Sequence, residues 1–134
     1  MQLPPKIPGL KWITLIVGVY TAVWIALEGD LLCVVLLGVG VTAVLLMHLI
    51  QRYFAGITFT LRQWLAFTTG TGLLFGAGSV LVSLLLIAIK TGLHAHGPEF
   101  TIAEIQWVWQ QLLLWSVVGM LAGLGVGLIM NQQT

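Results

Sequence analysis

Four long stretches of this chain carry no Asp, Glu, Lys or Arg, and every charge falls in the gaps between them. The runs Trp12 to Leu27, Leu31 to Gln51, Gln63 to Ile89 and Ile105 to Met130 bracket the roughly 20 apolar residues that a helix needs to cross a hydrocarbon core about 30 Å thick. Only 7% of the 134 residues are charged and 59% are hydrophobic, whereas a soluble domain averages about 25% charged. A water-soluble fold of this size has too little interior to hide that much apolar surface. The pattern predicts one domain, an all-α integral membrane bundle of four transmembrane helices over about 10–27, 31–54, 63–89 and 104–130. Four such helices use nearly the whole sequence and leave no room for a soluble catalytic domain.

The placement of the charges predicts the orientation. Lys6, Lys11, Arg52 and Arg62 occupy the first and third polar segments, while Lys90 stands alone in the others beside Glu28, Asp30, Glu99 and Glu104. Cytoplasmic loops collect lysine and arginine, so both termini are expected in the cytoplasm (N-in/C-in), giving a multi-pass integral membrane protein. Trp12 then sits at the inner headgroup level, and Trp24, Trp107 and Trp109 at the outer one. The start of the chain carries two lysines before an apolar run, as a signal peptide does. That run ends on Trp24, Leu27, Glu28 and Asp30 without a small-x-small cleavage site, so it is expected to persist as the first helix.

Local signals refine the map. Pro4, Pro5, Pro8 and Gly9 predict an extended lead, because proline lacks the backbone donor and restricts the residue before it. Tyr53 to Leu61 reads as an interfacial connection, too short to span. Thr101 followed by Glu104 fits a capping box that opens the fourth helix. The two hairpins run in the same direction, which excludes an inverted repeat within one chain.

Small residues recur at helical spacing. Gly18 and Ala22 lie on one face of the first helix, Gly72, Gly76 and Ser79 on one face of the third, and Gly119, Gly123 and Gly127 on the fourth. In lipid the hydrophobic effect cannot drive helices together, so close approach at such positions supplies helix packing, within the chain or against a partner.

Chemistry is sparse by contrast. Coupled transporters and proton pumps place ionisable groups inside the membrane, and here all nine charges stand at the boundaries. No nucleophile has a histidine and carboxylate at matching depth, so no catalytic residue is assigned and the chain is not expected to be an enzyme. There is no basic patch for nucleic acid. Cys33, the single cysteine, cannot form an intrachain disulfide. His48, about 25 Å along the second helix from Leu31, is a possible haem or chlorophyll ligand, although its bland reading is a hydrogen-bonded interfacial histidine. His94, His96 and Glu99 form a short cluster that is a weak candidate for zinc or copper. Beside these, no cofactor is expected.

These observations point to a non-catalytic structural or accessory subunit of a larger multi-subunit membrane complex, in contact with the lipid bilayer and with other membrane subunits or copies of itself. Two alternatives stand beside it. One is a small homo-oligomeric channel or facilitator with a path lined by Thr68, Thr69, Thr71, Gln111 and Ser116. The other is a pigment- or haem-binding subunit acting through His48.

Overall fold

A computed structural model describes residues 2–27, 30–93 and 99–132. The chain is all-helical, with α1 over Leu10–Ala26, α2 over Leu31–Tyr53, α3 over Leu61–Leu93 and α4 over Ile102–Gln132. Three of these, α2, α3 and α4, are long and apolar enough to cross a membrane, which is consistent with a membrane protein. Helix α1 has 17 residues, so at 1.5 Å per residue it reaches only about 26 Å.

Each helix begins where its sequence supplies a cap. The extended lead turns into α1 at Gly9, whose φ of 76° lies in the left-handed region that glycine adopts without strain, and its carbonyl accepts from the Ile13 N–H at 3.0 Å. Asp30 caps α2 by accepting from the Cys33 N–H at 2.8 Å. A reciprocal capping box opens α3, with the Thr60 N–H donating to Gln63 Oε1 at 3.0 Å and the Gln63 N–H to Thr60 Oγ1 at 3.4 Å. The box expected at Thr101 and Glu104 forms at the start of α4, at 2.8 and 3.2 Å. Both later helices therefore start earlier than the charge-free runs, and α3 continues through Lys90 to Leu93. Lys90 does not end the helix because its charge is held inside the protein.

Packing runs mainly between sequence neighbours, with α4 on α3, α3 on α2 and α2 on α1. The array is open, and α4 buries only Val108 and Gly127. One end of it carries Asp30, Lys90, Glu99 and Glu104, and is called here the acidic end. Beside it lies the main apolar core of Trp24, Val34, Leu37, Val80, Leu86, Ile87, Phe100 and Val108.

At the opposite, basic end the lead lies against the α2–α3 connection. Gln2 and Thr58 form an antiparallel bridge, the Leu3 N–H donates to the Ile57 carbonyl at 3.4 Å, and the Gly56 N–H donates to the Leu3 carbonyl at 3.2 Å. Gly56 makes that connection turn, with a φ of 76°. Phe54, Phe59 and Trp64 gather around Phe67, their ring centroids 4.9, 5.1 and 6.0 Å from it, and anchor the connection to α3.

The Asp30 cap gives a pH dependence with a definite sign. The Cys33 backbone N–H holds the Asp30 carboxyl below its ordinary value of 3.8. A depressed folded value means that the cap's stabilisation is complete above 3.8 and is lost as the pH falls through the lowered value. Asn caps a helix without titrating, so Asp30→Asn is expected to flatten this acid limb in micelle unfolding curves followed by circular dichroism.

Candidate functional site

The most constrained chemistry in the molecule surrounds Lys90. Its position in the last turn of α3 puts a long side chain over the end of α1, where the final carbonyls of a helix lack intrahelical partners and carry the negative end of the dipole. Lys90 Nζ donates to the Trp24 carbonyl at 2.9 Å and to the Leu27 carbonyl, and lies 3.2 Å from Glu99 Oε2. It also sits 4.4 Å from the Trp24 ring centroid, within cation–π range. The side chain is 0% exposed. Two carbonyls accept its hydrogen bonds and the Glu99 carboxylate supplies the opposite charge. One cation thus joins α1, α3 and the segment leading into α4.

The sequence showed Lys90 as a marginal charge and gave its burial no weight. A lone base grouped with four acids was the available signal, since such a cation has partners to find. Trp24 contributes both a carbonyl and a ring face, while its own buried Nε1–H has no hydrogen-bond partner among the described residues.

A second region is the contact of α3 with its neighbours. A side-chain carbon placed on Gly72 would collide with the Gly119 carbonyl, one on Gly76 with the Trp115 carbonyl, and one on Gly123 with the Thr68 carbonyl. At Gly127 it would meet the Thr68 hydroxyl, and at Gly38 of α2 it would meet Ser83. Backbone meets backbone at Gly72, Gly76 and Gly123. Ser79 is buried and donates to the Phe75 carbonyl at 2.7 Å, and Ser83 donates to the Ser79 carbonyl at 2.8 Å. Gly18 and Ala22 are placed differently. Both are exposed, and a carbon on Gly18 would have nothing within 4 Å.

Three of the five residues named for a solute path, Thr68, Gln111 and Ser116, turn their polar groups back onto their own helices. Thr68 Oγ1 donates to the Trp64 and Leu65 carbonyls at 3.1 and 3.2 Å, Gln111 to the Trp107 carbonyl at 3.4 Å, and Ser116 to the Leu112 carbonyl at 2.6 Å. The cleft of about 370 Å³ beside Thr68 and Thr71 is apolar, with Ala43, Met47, Phe67 and Ala122 among its walls.

His48 lies at the basic end, its Nε2 2.8 Å from Thr14 Oγ1. The Thr14 hydroxyl proton is already donated to the Leu10 carbonyl at 2.7 Å, so the hydroxyl accepts and Nε2 carries the hydrogen. A haem or chlorophyll would have to bind at Nδ1. His94 and His96 lie outside the described residues. Glu99, the third member of that cluster, is engaged with Lys90, and among the described residues no three His, Cys, Asp or Glu converge on a common point.

Compared with known families, with curated proteins and with solved structures, the chain shows no match to any of them.

Two predictions follow from this geometry. Lys90→Met leaves Glu99 and the α1 carbonyls without their cation and is expected to destabilise the fold by about 3–5 kcal/mol, the range for breaking a buried pair. The double variant Lys90→Met/Glu99→Gln is expected to recover part of this loss in equilibrium unfolding from mixed micelles. At the α3–α4 contact, Gly119→Leu forces backbone apart and is expected to cost about 1–3 kcal/mol in the same assay. Gly125→Ala, where nothing lies within 4 Å, is expected to gain about 0.5–1 kcal/mol, the helix-interior preference for alanine over glycine.

Proposed function

We propose that this chain is a non-catalytic structural subunit of a larger membrane assembly, a multi-pass protein with both termini on the cytoplasmic side and partners among other membrane helices. The observation that carries the reading is a set of outward-facing glycines inside helices. Gly18 of α1, Gly70 of α3 and Gly125 of α4 have no atom within 4 Å of the place a side chain would occupy. Glycine in a helix interior costs about 0.5–1 kcal/mol relative to alanine, so a glycine facing plain lipid brings a loss with no return. A neighbouring helix approaching backbone to backbone supplies the return. The uncovered surface of α4 supports the same reading, because so long a helix with two buried residues leaves the face turned away from α3 for lipid and partners.

The orientation draws support from Lys90. It is the only cation that departs from the cytoplasmic grouping of the others, and its charge is consumed by Glu99 and the end of α1. A neutralised lysine adds nothing to the free positive charge of its loop, so the asymmetry that directs cytoplasmic loops is complete.

Extraction into polymer-bounded lipid discs followed by mass measurement tests the assembly. The expected particle holds more protein than one 14.5 kDa chain, and Gly125→Leu is expected to release the single chain with its helical signal intact. A wild-type chain that always leaves the membrane alone would overturn the reading. Orientation is tested on a Cys33→Ser background with one new thiol at a time. In sealed vesicles, Arg62→Cys and Thr101→Cys are expected to label from opposite faces with an impermeant maleimide.

A further inference from the structure

The basic end holds a cleft of about 370 Å³ whose walls include Lys6, Lys11, Trp12, His48 and Gln51. Its shape is fixed by the fold. The Ile7 N–H donates to Gln51 Oε1 at 3.0 Å, which ties the residue after Lys6 to α2, and the His48–Thr14 bond ties α1 to the same helix one turn deeper. With its oxygen engaged, the Gln51 amide keeps its NH₂ as a donor. The first turn of α1 opens at the same place with no side chain capping it, adding the positive end of a helix dipole.

This concentration of positive charge has no counterweight nearby. Every Asp and Glu of the sequence falls at 28, 30, 99 or 104, in or beside the connections of the opposite end. Trp12, 70% exposed at the rim, has the amphipathic ring that prefers the headgroup layer.

We propose that this cleft binds an anionic phosphate group at the membrane surface, held by the Lys6 and Lys11 ammoniums and the Gln51 amide, with Trp12 against the adjoining glycerol and acyl region when the phosphate belongs to a lipid. The proposal rests on the membrane reading but not on the subunit reading. A phosphate ester suits the site because it brings several acceptor oxygens to a cleft lined by two ammoniums and an amide, and basic pockets beside membrane helices take anionic headgroups by this chemistry.

The test uses the full chain in phosphatidylcholine discs with a minor fraction of phosphatidylglycerol, and counts lipids retained per chain by native mass spectrometry. Phosphatidylglycerol is expected to be enriched over its share of the disc. Lys6→Gln and Lys11→Gln are each expected to reduce that enrichment about fivefold, the equivalent of one lysine near an anionic surface. Lys11→Arg is expected to retain it, and so is Arg62→Gln, a basic-end cation outside the cleft. A second arm titrates inorganic phosphate into pure phosphatidylcholine discs and follows it by phosphorus NMR. Broadening that Lys11→Gln removes identifies free phosphate as the occupant, and its absence together with phosphatidylglycerol enrichment identifies the lipid. No enrichment and no broadening overturns the site, as does equal loss in Arg62→Gln. Retention is counted on single-chain and assembled particles alike, so failure here leaves the assembly result standing.

Discussion

The fold depends on one ammonium placed where three backbone and side-chain oxygens need it. Helix α1 is the shortest of the four and packs mainly on α2, with two buried residues of its own, Leu10 and Trp24. Apolar contact therefore holds it weakly. Lys90 holds it at one end by completing its last carbonyls, and at the other end Thr14 with His48 and Ile7 with Gln51 hold it to α2. The charge is tolerated in the interior because two carbonyls accept from it and Glu99 pairs with it, whereas an unpaired cation in the same place would cost several kcal/mol.

The same interaction reconciles two descriptions of the charge pattern. Counted along the sequence, Lys90 is an exception to a clean separation of bases from acids. Counted in space, it is half of an ion pair and a cap. The remaining bases cluster at one end with no acid among them, and both the proposed orientation and the proposed phosphate site rest on that imbalance.

Much of this was legible in the residues. Charge-free runs located four helices because ionised groups are confined to polar margins, and Thr101 with Glu104 announced the start of α4 because capping is a local matter. Long-range features were not legible in the same way. Local pattern does not mark Lys90 as buried, since Glu99 alone of its partners is near in sequence and the carbonyls that accept from it are 63 and 66 residues away. Nor does local pattern say that Gln2 and Leu3 pair with the segment around Gly56. The small-residue stripes illustrate the limit best. Spacing places Gly18 and Gly72 on equivalent faces of their helices, yet Gly72 meets the α4 backbone while Gly18 meets nothing within the chain. Periodicity identifies a face and leaves open what covers it. Thr60 was missed as a cap because Gln63 was read as the start of an apolar run and not as the far half of a reciprocal pair.

The hydroxyls that bond back to their own helices bear on how such a chain comes to be built. Thr14, Thr21, Thr68, Ser79 and Ser116 each donate to a carbonyl about one turn earlier in the same helix, so these protons of α1, α3 and α4 are satisfied before any other segment is in place. Lys90 is different, because its acceptors arrive on other segments. For a polypeptide delivered to a bilayer one helix after another, the first helix must be waiting before the third can settle, and biogenesis inherits an order from a single side chain.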